Sequence, residues 1–142
     1  MKATNLLRQQ HSELMLMFHE LNNSSSVENQ RERFCRLKDM LQQHGSLEEN
    51  FFYPRLFQLP DCANPVFDCF KQHEHMEELL SGITLDQPEF LNNIYELQQK
   101  VATHFEEEEE LLTLADKLLS RAILKKMADE MLQETVGFFS VA

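Results

Sequence analysis

Apolar residues recur along this chain in steps of three and four, and the rhythm is heard four times. Leu7, Leu14, Phe18 and Leu21 form one stripe, and Phe34, Leu37, Leu41 and Phe51 a second. Val66, Phe70 and Leu80 form a third, and Phe90, Ile94, Leu97, Val101 and Leu111 a fourth. Such steps keep side chains on one face of an α-helix, so the pattern predicts four amphipathic helices. A fifth run, with Ile123, Met127 and Met131 on its inner side, predicts a helix from Ser120 to Val136 that packs across the others as a lid or a dimer contact.

The residues between the stripes agree. Thr4 is expected to cap a first helix over Asn5 to Asn22, and Asn22 to Ser26 is a polar turn. Ser25 with Glu28 makes a capping box for the second helix, which Pro54 should kink or end. Asn64-Pro65 starts the third helix, Gly82 ends it, and Asp86-Gln87-Pro88-Glu89 starts the fourth.

Polar residues interrupt the stripes in core register. They are His11, His44, Glu48, His73, Glu77, His104 and Glu108. Three pairs among them read His-x-x-x-Glu, a spacing that stacks both side chains one turn apart on the same helix face. His75 competes with His73, but its heptad of Asp68, Gln72 and Leu79 is a poorer core face. Glu109 would replace Glu108 only if the helix unwound locally, and the rest of the acidic run Glu106 to Glu110 reads as a solvated face. His19 lies off its stripe.

Burying a polar group without a partner costs about 2–7 kcal/mol. A domain stable by about 5–15 kcal/mol cannot carry several such groups. Something must compensate them, and clustered imidazole with carboxylate is a transition-metal ligand set.

Composition narrows the class. The 142 residues fit a single domain, 1–142, with a four-helix core over about 5–113. Three Gly, four Pro and an abundance of Leu, Gln and Glu make the chain all-α. A net charge of −11 argues against nucleic acid, whose phosphates call for clustered Lys and Arg. No apolar run is long enough for a membrane span. The start reaches Lys2 and Arg8 too soon for a secretory signal, so a cytoplasmic location is expected. Cys35, Cys62 and Cys69 form no CxxC and are expected as reduced thiols without a role. Whether the chain forms a homodimer or meets another protein stays open.

Counting donors suggests two ions. Two six-coordinate metals offer about twelve positions. Glu48 and Glu108 as bridges, an oxo or hydroxo bridge, and His11, His44, His73, His104 and Glu77 as terminal ligands leave about one position free for a small molecule. Imidazole disfavours Mg and Ca, and the absence of HExxH disfavours a zinc protease. Iron is the expected metal, with manganese or mixed occupancy as the alternative.

These motifs resemble the hemerythrin-like family, the His-His-Glu cation-binding domains. The resemblance rests on His44-x-x-x-Glu48-Glu49 running into aromatics and Pro54, on Gln72-His73 followed by Leu79-Leu80, on His104-Phe105-x-x-Glu108, and on the single His11. It implies an antiparallel up-down four-helix bundle around a non-haem di-iron centre, with His11, His44, Glu48, His73, His104 and Glu108 as ligands. Glu77 departs from the oxygen carriers of the family, which place a His there.

The expected function is binding of O2 or NO at the open position, as a sensor or scavenger. The added charge of Glu77 should favour the ferric state and fast autoxidation. Repair of damaged iron centres, or reduction of peroxide, is the alternative. Repair relatives often carry an additional N-terminal cysteine-containing segment, and a start directly at helix one lowers that reading.

Overall fold

A computed structural model describes residues 1–135, so Val136, the expected end of the fifth helix, lies outside the described residues. The chain is all-α, with no strand among those residues. Its long helices are α1 (Ala3–Asn22), α2 (Val27–Leu47), α4 (Ala63–Ser81) and α5 (Phe90–Leu118). A π-helical turn, Glu48–Phe52, and a short α3, Tyr53–Phe57, continue α2, and α6 (Arg121–Glu134) closes the order. No helix among the described residues is long and apolar enough to cross a membrane.

Side-chain capping is seen at the starts of α2 and α6, while α1, α4 and α5 begin without a side-chain cap. Ser26, not Ser25, caps α2: its hydroxyl accepts from the Asn29 N–H at 3.1 Å. Ser120 does the same for Ile123 at 3.2 Å. Thr4 is not a cap. It lies inside α1, fully buried, and its hydroxyl donates to Asp116 of α5 at 2.6 Å. Arg8 reaches Asp116 at 3.1 Å and Glu109 at 2.8 Å from the same side, tying α1 to α5.

The second helix does not end at Pro54. One extra residue is looped into the ladder instead, and the Tyr53 N–H donates to the Glu48 carbonyl five residues back. Pro54 follows at once, in the first turn of α3, where a missing N–H is tolerated. The wide turn rotates the later residues. Phe52, Tyr53 and Leu56 are buried, whereas Phe51 is only partly so.

α1 packs against α2, α5 and α6, while α4 packs against α5 and α3. α6 lies along α1 and the π turn through Leu124, Met127, Ala128 and Met131, so it is held within the chain.

The apolar interior divides into two lobes. One gathers Leu6, Leu7, Leu47, Phe52, Leu111 and Met127. The other gathers Leu14, Phe18, Leu37, Leu80, Val101 and Phe105. His11, His44 and Glu108 lie between the two sets along their own helices, so a polar layer is walled above and below by hydrocarbon.

Candidate metal centre

Each helix delivers its polar residues by simple register. α1 contributes His11, the last turn of α2 gives His44, and the first residue of the π turn is Glu48. α4 contributes His73, and α5 gives His104 and Glu108 one turn apart. Glu48 and Glu108 have no solvent exposure at all.

The donor atoms converge. Glu108 Oε1 lies 3.0 Å from His11 Nε2, and Glu108 Oε2 lies 3.3 Å from His104 Nε2. Glu48 Oε1 lies 3.1 Å from His44 Nε2 and 3.2 Å from His73 Nε2, while its Oε2 is 3.7 Å from His11 Nε2. Two sets of four result, His11, His44, Glu48, Glu108 and Glu48, His73, His104, Glu108, each with ligand atoms within 4.8 Å of one another. Both sets share both carboxylates. His11, His44, Glu48, His73, His104 and Glu108 are thus brought together.

Glu77 is not among them, which corrects the expectation that it lies with the donors. It is exposed on α4 and accepts a hydrogen bond from Gln42 Nε2 at 3.2 Å, across the gap to α2. With Glu77 on the rim, it adds no charge directly to the donors, and the expected bias toward the ferric state loses its basis. His75 and Glu109 are also exposed, the latter paired with Arg8.

A support for each imidazole fixes which nitrogen faces inward. Gln10 Oε1 accepts from His44 Nδ1 at 2.8 Å, and Gln72 Oε1 accepts from His104 Nδ1 at 2.5 Å. Glu49 Oε2 accepts from His73 Nδ1 at 3.2 Å. Oxygens of these types only accept here, so Nδ1 carries the proton and the Nε2 lone pair points into the cluster. His11 is held differently, its ring stacked on Phe105 at 3.8 Å between centroids.

That arrangement needs positive charge. His73 Nε2 and His104 Nε2 face each other at 3.1 Å, and lone pairs of both imidazoles look at carboxylate oxygens. Glu48 Oε2 and Glu108 Oε1 are sealed from water and, when His11 is neutral, accept no hydrogen bond. Protons can supply the charge in part. Burial pulls the His11 pKa down, but Glu108 and Glu48 outweigh it and raise it to about 9. For His73, Glu48 and Glu49 likewise outweigh burial and raise it to about 10. Burial wins at His44, whose pKa is lowered. Burial also opposes ionisation of Glu48, yet His44, Glu108 and His11 hold it well below the ordinary value. Cations placed among these atoms would satisfy the lone pairs and both orphaned oxygens together. The donor set therefore fits a metal pair.

Sequence reasoning missed Tyr53. Its hydroxyl donates to Glu48 Oε1 at 3.3 Å and to Glu108 Oε2, and lies 3.1 Å from His73 Nε2. Burial, with Glu48 and Glu108 nearby, pushes the phenol pKa well above the usual value, so it stays a donor. Tyr53 is five residues after Glu48, off the face in an α-helix but on it after a π turn. Gln10 and Gln72 were also missed as supports. The available signal is that each immediately precedes a stripe histidine on its own helix, then supports the histidine of another.

One side of the centre is open. A cleft of about 860 Å³ between α2 and α4 reaches His44, His73 and His104.

The sequence profile of the hemerythrin HHE cation binding domain matches residues 2–115. A protein described as a DNA nickase from Nostoc sp. (strain PCC 7120 / SAG 25.82 / UTEX 2576) is 26% identical over 117 residues, which is 81% of this chain and 33% of that protein. The chain thus spans about a third of the length of that relative. No solved structure matches it. With the profile match covering all the converging histidines and both shared carboxylates, the chain belongs to the hemerythrin HHE cation-binding domain family.

Proposed function

We propose that this chain holds two iron ions and binds O2 or NO beside them, acting as a sensor or scavenger of the small molecule. The supporting observation is that two four-residue donor sets share Glu48 and Glu108. Glu108 supports a pair most directly, since one oxygen faces His11 and the other faces His104. The proposed ligands are His11, His44, Glu48, His73, His104 and Glu108, arranged in an antiparallel up-down four-helix bundle. Manganese or mixed occupancy uses the same donors. When bound, iron in its lower oxidation state supplies the electrons and the open positions that a diatomic ligand requires.

The chain's own residues set the conditions for that chemistry. Four imidazoles and two shared carboxylates would hold the pair and would leave positions over for a small molecule. The two apolar lobes exclude water above and below. Gln10, Gln72 and Glu49 hold three imidazoles in the ligating tautomer. Tyr53 keeps a proton between Glu48 and Glu108. The cleft gives a small molecule a path to the His73 and His104 side.

The strand cleavage named for the Nostoc relative is not extended to this chain. The shared region is a third of that protein, and a net charge of −11 opposes a phosphate backbone.

The test is metal analysis with absorption spectra of the reduced protein before and after NO or air. Two irons per chain and a spectrum that changes with NO are expected. One iron or none after anaerobic loading, or a loaded protein indifferent to both gases, would overturn the reading.

A further inference from the structure

A diatomic molecule needs a few tens of Å³, whereas the cleft between α2 and α4 is about 860 Å³. That volume is in the range of sites for whole organic ligands, about 300–1,000 Å³. The walls are graded. Leu80, Leu97, Val101 and Phe105 are buried and line the inner part, with Leu41 and Met76 partly exposed above them. Glu74, Glu77 and Glu78 are exposed and line the outer part, and Glu49 lies by His73. Among the described residues no Lys or Arg lines the cleft.

The inner end stops on His44, His73 and His104. On the α2 side, Gly45 interrupts a helix interior, where glycine costs about 1 kcal/mol relative to alanine. A Cβ built there meets nothing closer than 3.8 Å, at Glu49 Oε2 and His73 Nδ1. A Cβ there would already touch His73 and Glu49 at ordinary van der Waals distance, so the absent side chain leaves the cleft beside His73 wider by that bulk. Across the cleft, the Gln42–Glu77 and Glu49–His73 hydrogen bonds link α2 to α4 on either side of that opening.

We infer that the cleft binds a small organic cation with an apolar body, of the alkylamine class, its ammonium on the Glu74, Glu77 and Glu78 rim and its hydrocarbon against Leu80, Leu97, Val101 and Phe105. Apolar walls give the affinity, and a single-sign rim selects the charge. This deepens the proposed function, on which it rests for the role of the inner end, by naming an organic molecule that shares the centre's open side.

The probe is n-hexylammonium, compared with hexanoate and hexanol, titrated into the iron-loaded protein at neutral pH. Methyl-labelled Met, Leu and Val report by NMR, and metal content is measured on the same sample. Saturable shifts at Met76, Leu80 and Val101 are expected, with the amine binding about tenfold more tightly than hexanoate. In Glu74→Gln/Glu78→Gln the amine loses this preference while hexanol binding is retained. Gly45→Leu is expected to abolish binding of all three while the melting temperature holds or rises, because leucine favours the helix.

Equal affinity for amine and carboxylate, unshifted cleft methyls in protein that holds its iron, or undiminished binding in Gly45→Leu would overturn the inference. Amine binding in protein that takes up no metal would sustain the cleft site and remove the di-iron reading instead.

Discussion

The two halves of the centre share Glu48 and Glu108 but differ in everything behind them. On one side, His11 and His44 are buried, one ring lying flat on Phe105 and the other held by a buried glutamine. On the other, His73 borders the cleft and is supported by Glu49, whose side chain is 40% exposed. A bundle can bury ligands on every helix and still leave one half reachable, provided one helix pair is held apart. Here α2 and α4 are that pair, bridged by Gln42 with Glu77 and Glu49 with His73. Under the proposed di-metal reading this would separate retention from access, since the cleft reaches His44, His73 and His104 while His11 lies outside its lining.

The largest expected effect comes from the residue that joins the halves. Glu108→Ala removes an oxygen from each set, so neither retains its ion through dialysis. The loss should exceed the roughly 10–100-fold in affinity typical of changes behind the ligands. Metal analysis reads it directly, and a variant that keeps two ions would break the comparison at its root.

Protons compete with metal at both halves, which gives the next effect. His11 and His73 hold protons up to about 9 and about 10 in the metal-free protein, against 6.5 for an ordinary histidine. Their contribution to metal-free stability is full below about 6.5 and is lost as pH rises through those values. His44 acts in the opposite sense, since its lowered pKa favours the unfolded chain below 6.5. Metal must displace the two raised protons, so its binding strengthens over the same window. The melting-temperature gain on adding metal should therefore grow from pH 6.5 to 9, by an amount on the order of a few kcal/mol in stability. A gain that is flat, or that shrinks with pH, would show that the imidazoles do not meet the ions.

Tyr53→Phe tests the ceiling common to both halves. The phenol donates to Glu48 and Glu108, and its loss leaves two buried carboxylates with one donor fewer. The metal-free protein should lose about 1–3 kcal/mol in denaturant unfolding. Metal content should stay at two per chain. Loss of an ion instead would place the phenol oxygen among the ligands.

How much of this was legible in the sequence follows from what periodicity can carry. The stripes located four long helices because apolar spacing survives any choice of loop, and six inward polar positions followed from the same register. Glu77 shares that register with His73, yet its carboxylate turns to Gln42 at the mouth of the cleft, although Leu80 of the same stripe is buried. Tyr53 escaped for the converse reason, because a π turn adds a residue that a 3.6-residue count cannot foresee. The supports Gln10 and Gln72 act between helices, and a one-dimensional pattern holds no information on which helix will be the neighbour. The cleft is legible in retrospect only through Gly45, a glycine in mid-helix with no turn to make.

The smallest effect is expected at Glu49, and it separates the halves most cleanly. His44 and His104 lean on neutral amide oxygens, whereas His73 alone leans on a carboxylate. A carboxylate behind an imidazole makes the ring a stronger donor, and Glu49→Gln replaces it with the kind of partner the other two already have. The hydrogen bond survives through the amide oxygen, so only the charge is removed. Because Glu49 is well exposed, solvent screens that charge and the consequence stays modest. The ion on the His73 and His104 side should leave to a chelator a few-fold faster, within the roughly tenfold lower end of such changes. The ion on the His11 and His44 side should leave at an unchanged rate, so stopped-flow chelation should resolve two phases with only the faster one altered. If both phases shift together, the halves are not independent, and the two shared carboxylates couple them too tightly for access and retention to be divided between them.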